Sequence, residues 1–337
     1  MRFVVVGAGA IGGLVGARLA GAEHAVTLVA RGAHHDAIRE RGLTIEAATE
    51  TGAGTVTSRI PVVARVIDIS IAPDTIVLVA VKTQDAATVL RELAVVAPPA
   101  TPIVCLTNGL EAERLAARWF SNVYGCCVWS PATHLEPGIV QAWGTPVAGV
   151  FDVGSYPAGD ASLAHAIAGA FAGAGLDACS SPDIMRWKRG KLLSNLSNAV
   201  DALCGPPGRA HPVVATLRAE GERCFVAADL PYASDDELAE RRGPLAVGTI
   251  AGRHKSGGST WQSLRRGATT VECEYLNGEI TLLGRLHAIA TPMNDAVLRT
   301  ITRAVAAGVP AGSLTLEDLS AQLGGTGYMS STFSRAG

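Results

Sequence analysis

Short apolar runs separated by amphipathic stretches dominate the first half of the chain. Phe3–Gly9 (FVVVGAG), Ala25–Ala30 (AVTLVA), Thr75–Lys82 (TIVLVAVK) and Pro102–Gly109 (PIVCLTNG) are near-continuous and apolar, the pattern of strands buried on both faces. Between them the spacing predicts helices over Ala10–Gly21, from Gln84 to Val96, and from near Leu110. This β–α alternation implies a parallel, doubly wound sheet. From Asn122 to Val153 shorter β-like pieces with Gly and Pro predict added strands at the sheet's end. A helix over Asp160–Ala174 and a last strand over Gly175–Ser180 complete this half.

The second half reads as helical. Ser180 or Ser181 can cap, and Pro182 suits a first helical turn, so a helix is predicted to run to Cys204 and stop at Gly205-Pro206-Pro207. Further helices are expected over His211–Asp229, Asp235–Ile250, Thr270–Ile289 and Met293–Ala307. The expected division is therefore 1–179 and 180–323, with 324–337, a polar Gly/Ser-rich segment, as a flexible tail.

The segment KRGKLLSNLSNAVDAL (188–203) carries an unusual polar face. Wound as one helix, it puts Lys191, Asn195 and Asn198 in one row with Ser194 beside them. Leu192, Leu193, Leu196, Val200 and Leu203 fall on the other side. Asn and Ser are mediocre helix formers, and a solvated face would draw on Glu, Lys, Arg and Gln. The row is thus a candidate site.

Composition narrows the class. At 337 residues and 48% hydrophobic, with a mean hydropathy of +0.27, the chain can bury two cores. No run of 18 or more residues is uninterruptedly apolar, so neither a membrane span nor a membrane partner is expected. A net charge of -2 argues against a nucleic-acid partner. The start, MRFVVVGAGAIGG, runs straight into a strand and lacks a secretory h-region. Seven cysteines form no CxxC pair, so reduced thiols in the cytoplasm and no metal are expected. The eight histidines show no paired ligand spacing, and none is assigned to a metal or to catalysis.

Gly7-Ala8-Gly9-Ala10-Ile11-Gly12 matches G-x-G-x-x-G between a strand and a helix, the context that gives this motif its meaning as a dinucleotide loop. Gly7 permits the turn, Gly9 lets backbone approach a pyrophosphate, and Gly12 lets helix and strand pack closely. At the end of the second strand an NAD-selective site would carry Asp or Glu, whereas this chain has Arg31. A guanidinium there suits a 2′-phosphate, so NADP(H) is expected. Two further strand ends carry polar groups: Lys82, read as facing either the cofactor or an interdomain cleft, and Asn108, read as contacting nicotinamide or substrate.

GAGAIGG, Arg31, VAVKT, LTNG, KLLSNLSNAVDAL, GGSTWQSLRRG and VECEYLNGEI together resemble, in order and spacing, the ketopantoate reductase (2-dehydropantoate 2-reductase) family over roughly residues 1–310. The resemblance implies an α/β fold: an N-terminal Rossmann-type doubly wound parallel sheet, then an all-helical C-terminal domain like that of 6-phosphogluconate dehydrogenases. It implies NADPH-dependent reduction of a 2-keto acid, 2-dehydropantoate first, and a homodimer through the helical domain. By motif, Lys191 corresponds to the catalytic lysine and Glu272 to the active-site glutamate. Asn195 and Asn198 correspond to substrate asparagines, their spacing one residue off that of better-known members. Ser259 corresponds to the serine that holds the carboxylate, with Thr260 the alternative after a one-residue slip. The other readings are a reductase of the same fold for a different keto acid, a β-hydroxyacid dehydrogenase, or an NADP-binding sensor without turnover.

Overall fold

The structure is a computed structural model and describes residues 1–49, 52–157 and 159–324; most of the expected flexible tail, 325–337, lies outside the described residues. The first part of the chain runs β1 (Arg2–Val6), α1 (Ala10–Gly21), β2 (Ala25–Val29), α2 (Gly32–Arg41), β3 (Leu43–Thr49), β4 (Gly52–Ser58), β5 (Val62–Val63), β6 (Thr75–Val79) and α3 (Thr83–Val96). Then come β7 (Ile103–Cys105), α4 (Glu111–Ala116), β8 (Val123–Trp129), β9 (Ala132–Thr133), β10 (Ile139–Ala142), β11 (Gly144–Thr145), β12 (Val150–Tyr156) and α5 (Ala161–Gly173).

Seven strands form one sheet in the order β12-β8-β7-β6-β1-β2-β5, parallel except for β12 against β8. The alternation in FVVV explains why both faces are buried. Phe3 and Val5 join Leu14, Leu19, Leu28 and Phe171 on the side of α1 and α5. Val4 and Val6 join Val77, Val79, Leu90 and Ala112 on the side of α3 and α4. The strand order reverses at β1, which lies between β2 and β6, so the carboxyl end of β1 is a switch point where ligands of such sheets bind.

The added strands only partly follow expectation. β8 and β12 extend the main sheet, but β9 and β10 join β3 and β4 in a second, four-stranded sheet. The expected last strand over Gly175–Ser180 is reduced to two isolated bridges, Val150 with Asp177 and Val153 with Ser180.

The remaining chain runs α6 (Ile184–Asn195), α7 (Asn198–Cys204), α8 (Val213–Ala227), α9 (Asp235–Arg242), β13 (Ala246–Val247), β14 (Thr249–Ile250), β15 (Arg253–His254), α10 (Ser259–Arg265), α11 (Asn277–Leu286), α12 (Pro292–Ala306) and α13 (Leu316–Gly324). The helix expected from Pro182 to Cys204 is thus two helices, broken at Leu196–Ser197. The helix expected to reach Ile250 ends at Arg242, because Gly243-Pro244 stops it and Ala246–Val247 pairs with β11. The helix expected from Thr270 opens as a 3-10 turn, Glu272–Tyr275, before α11.

Contacts divide the chain into two compact units: Met1–Lys188 with Ser234–Lys255, and Arg189–Ala233 with the chain from Ser256 onward. The sequence reading put the whole of 180–323 in one domain. Charge pairing accounts for the difference. Arg241 pairs with Asp152, which is buried, and with Asp177; Arg253 reaches Glu46 at 2.7 Å; Ala246–Val247 pairs with Gly144–Thr145; and Arg186 grips Glu237 at 2.7 Å among the reassigned residues themselves. The three short strands fall in the first unit, so the second is built of helices. Its core takes Leu192, Leu193, Leu196, Val200 and Leu203, all buried as the spacing predicts. Close packing against α8 is visible at Gly221, where a Cβ would come within 2.6 Å of Leu193 Cδ2. Among the described residues no helix is long and apolar enough to cross a membrane.

Candidate active site

The first unit carries the glycine loop. After β1, Gly7 turns with φ +98°, and the Gly7 and Ala8 amides both donate to the Val29 carbonyl at 3.1 Å. A Cβ at Gly12 would overlap the Gly7 carbonyl oxygen and sit 2.8 Å from Ala80 Cβ, so only glycine lets α1 start this close to the sheet. At Gly9, by contrast, an added Cβ would meet nothing within 4 Å. Ala10, Ile11 and Gly12 form the first turn of α1, where amides lack intrahelical partners. An open face at Gly9 beside such amides fits a diphosphate. These residues therefore suit the dinucleotide expected from sequence.

Three more candidates follow neighbouring strands. Arg31 is the residue before α2, exposed, 3.8 Å from the less exposed Glu92. Lys82 precedes α3 and is half-buried. Asn108 follows β7, and its carbonyl accepts from Thr83 Oγ1 at 3.1 Å. That bond, with Ala80 N to Val6 O and Leu106 N to Val79 O at 2.9 Å, holds the ends of β1, β6 and β7 together. The glycine loop, Lys82 and Asn108 are thus brought to one edge of the unit.

Behind Asn108 lies an ion pair that the sequence reading did not find. Lys188 Nζ donates to the Thr107 carbonyl at 2.9 Å and to Glu113 Oε1 at 2.5 Å, both side chains being buried. Burial opposes the Lys188 charge, but Glu113 outweighs it and holds the ammonium above the usual lysine range.

The second unit carries the other candidates. Lys191 and Asn195 lie on α6 and are half-buried, while Ser194 is exposed. Asn198, also half-buried, is the first residue of α7, so the break removes it from a continuous row with Lys191 and Asn195. Ser197 Oγ donates back to Ser194 O at 3.1 Å, a local bond of the kind that competes with helix continuation.

Two long-range contacts draw the distant motifs to this break. The Asp201 carboxylate, 1% exposed, accepts the Gly258 amide at 2.9 Å and pairs with both Arg209 Nε and Nη2. It fixes the start of α10, where Ser259 is half-buried and Thr260 is buried with its hydroxyl unpartnered. A Cβ at Gly258 would sit 2.6 Å from Asp201 Oδ2, which explains the second glycine of GGST. The buried Asn277 amide donates to the Leu196 carbonyl at 3.2 Å and so ties the VECEYLNG segment to the break. Glu272 opens the 3-10 turn of that segment and is 4% exposed, not a solvated helix charge. In the second unit the structure thus ties the segment of Ser259 to α7 and the segment that follows Glu272 to the break after α6, next to the helices that carry Lys191, Asn195 and Asn198. Asp201 and Asn277 lie inside the KLLSNLSNAVDAL and VECEYLNGEI segments, but nothing in local spacing marks them as buried hydrogen-bonding centres.

Comparison with known proteins follows the same segments. Residues 3–157 match the family model described as Ketopantoate reductase PanE/ApbA, and residues 183–305 match Ketopantoate reductase PanE/ApbA C terminal. A 2-dehydropantoate 2-reductase of Pyrococcus horikoshii is 28% identical over 303 residues, 87% of this chain and 94% of that protein. One from Halobacterium salinarum is 32% identical over 317 residues, 89% of this chain and 96% of that protein. Among solved structures, a PanE/ApbA family ketopantoate reductase from Ralstonia eutropha superposes with a TM-score of 0.75 at 25% identity, covering 91% of this chain and 99% of that one. A D-mandelate dehydrogenase with NADH and anilino(oxo)acetate superposes with a TM-score of 0.77 at 22% identity, over 91% of this chain and 99% of that one, and shares the fold.

Proposed function

Since the chain belongs to the ketopantoate reductase family, we propose that it reduces 2-dehydropantoate to pantoate with NADPH. It is an oxidoreductase of the 2-dehydropantoate 2-reductase type acting on a CH–OH group, and it uses a nicotinamide dinucleotide. The observation that supports the finer reading is the anchoring of two distant motifs, GGSTWQ through Gly258 on Asp201 and VECEYLNG through Asn277 on Leu196, to the segment that carries Lys191.

When bound, the nicotinamide supplies the hydride that goes to the keto carbon. The chain's part is electrostatic and positional. Negative charge grows on the keto oxygen, and a pre-placed ammonium stabilises it most in the transition state. Lys191 takes that role and gives the oxygen its proton as general acid. Asn195 and Asn198 donate and accept hydrogen bonds without adding charge. The carboxylate falls to Ser259 or to Thr260, and the buried, unpartnered hydroxyl of Thr260 keeps that alternative open. Glu272, a buried carboxylate, orients Lys191 and accepts from a substrate hydroxyl. Gly7 to Gly12 would hold the cofactor's diphosphate and Arg31 its 2′-phosphate, with Lys82 and Asn108 at the neighbouring strand ends.

The test is oxidation of NADPH against a panel of 2-keto acids, with 2-dehydropantoate first. Turnover highest on 2-dehydropantoate supports the reading. Higher turnover on another keto acid keeps the reaction class and replaces the substrate. NADPH binding without turnover on any of them would overturn the reading in favour of a sensor.

A further inference from the structure

His34 lies on α2, three residues after Arg31. Its Nδ1 stands 2.9 Å from the Gly138 amide, which can only donate. Nδ1 is therefore the acceptor, and the ring proton sits on Nε2, 2.7 Å from the Ala8 carbonyl oxygen. Two hydrogen bonds of opposite sense fix this tautomer. Burial lowers the His34 pKa, which keeps the ring neutral and the acceptor available. The His134 ring lies against it with centroids 4.0 Å apart, and His134 Nδ1 is 3.1 Å from the Ile139 carbonyl. His34 thus joins α2, the Gly138 turn before β10, and the second residue of the glycine loop.

Ala8 is held from both sides. Its amide donates to Val29 O, and its carbonyl accepts from His34. That carbonyl also lies under α1, where a Cβ at Gly13 would come within 2.8 Å of it. In a planar trans peptide the C=O and the next N–H point in opposite directions. Holding the Ala8 oxygen toward His34 therefore aims the Gly9 N–H away from α2. Gly9 is the residue whose added Cβ would meet nothing within 4 Å.

We infer that His34 is a positioning residue of the dinucleotide site: its Nε2–H fixes the Ala8–Gly9 peptide, so that the loop amides are already oriented for the cofactor's diphosphate. The inference rests on the reading of Gly7–Gly12 as the phosphate loop. His34 itself touches neither the cofactor's 2′-phosphate nor the substrate in this role, so its effect falls equally on NADPH and NADH. That separates it from Arg31, whose effect falls on NADPH alone.

The experiment measures Kd for NADPH and NADH, by nicotinamide fluorescence, in the full-length protein and four variants. His34→Ala and His34→Asn, which cannot reach the Ala8 carbonyl, should each raise both Kd values about tenfold, the scale of one lost buried hydrogen bond. The NADPH-to-NADH ratio should stay that of the wild type. His34→Gln, whose Nε2 amide reaches as far as the imidazole Nε2, should restore both. If His34→Ala does not fold, the contrast of His34→Asn with His34→Gln carries the result. Unchanged Kd values in His34→Asn, or an equal loss in His34→Gln, would overturn the inference. Gly9→Glu tests the underlying reading separately by placing a carboxylate on the open face. Abolished binding there upholds the loop whatever His34 does, and unaltered binding removes the loop reading and this inference together.

Discussion

Asn277 donates its side-chain amide to the Leu196 carbonyl at 3.2 Å, and this bond closes the gap where α6 ends and α7 begins. A helix that stops in a buried place leaves carbonyls without partners. Leu196 is fully buried, and Asn277 supplies the donor from a segment 81 residues away in sequence. Asn277 is in turn held by Asn294, and Asn294 by Glu220, whose carboxylate also accepts the Met293 and Asn294 amides at the start of α12. The break that separates Asn195 from Asn198 is thus maintained by a buried polar chain across three helices.

Asn277→Ala should therefore lower unfolding free energy by about 1–3 kcal/mol, the penalty for an unpaired buried acceptor. Urea unfolding of the full chain measures it. A loss below a few tenths of a kcal/mol would mean that water or another donor replaces Asn277.

On the proposed mechanism, Lys191→Ala removes the ammonium that stabilises the developing alkoxide. Turnover should fall at least about a hundredfold, the scale of general-acid catalysis, with NADPH affinity nearly unchanged. Steady-state rates and a separate NADPH titration check the two halves. Equal turnover would remove Lys191 from the reaction.

Arg31 stands exposed where an NAD-selective site would carry an acid. Arg31→Ala should weaken NADPH roughly tenfold to a hundredfold, the worth of a charge-assisted contact, and leave NADH unchanged. The ratio of the two dissociation constants is the measurement.

Glu237 accepts from Arg186 and from the Ser234 amide, and these hold its carboxyl down at about 2. A depressed carboxyl stabilises the fold above its ordinary pKa and loses that contribution as pH falls toward the folded value. The difference in melting temperature between wild type and Glu237→Gln should be constant above about pH 4.5 and shrink toward pH 2. A difference that stays constant down to pH 2 would place the contribution of Glu237 elsewhere than its charge.

Gly12→Ala places a methyl group on the Gly7 carbonyl oxygen. Overpacking of this kind costs about 1–3 kcal/mol, and here it also displaces the loop. Both a lower melting temperature and weaker NADPH binding are expected, whereas Gly13→Ala, which meets the Ala8 oxygen at 2.8 Å, should show a milder form of each.

Several elements were legible because their cause is local. The FVVV and TIVLVAVK runs became β1 and β6, and Ala10–Gly21 became α1 with the same bounds. The two-residue alternation and the helical spacing act within a turn or a strand, so they are written in consecutive residues. Gly205 ended α7 as expected for the same reason. The candidate loop was legible too, since strand, glycines and helix adjoin.

The helix break at Leu196 was not legible, because leucine, serine and asparagine continue the same period through it. Besides the local Ser197 bond, the donor that satisfies the buried carbonyl at the break comes from Asn277, far along the chain. The Gly243-Pro244 stop was visible in the residues, but the strand after it was not, since Ala246–Val247 pairs with Gly144–Thr145. The domain boundary moved past Lys188 for a like reason, as its buried partner is Glu113.

The same distinction runs through the site. Local pattern was enough to establish a parallel α/β unit and a helical unit, and to mark a candidate dinucleotide loop and a short roll of polar candidates. Which candidates stand together, and which bland residues hold them there, depended on His34 meeting Ala8, Asp201 meeting Gly258 and Asn277 meeting Leu196. Periodicity reports which face of an element is buried, but not which distant group meets a given buried donor or acceptor. That pairing is set by the packing of whole elements, and an unpaired buried group is expensive enough to make it specific.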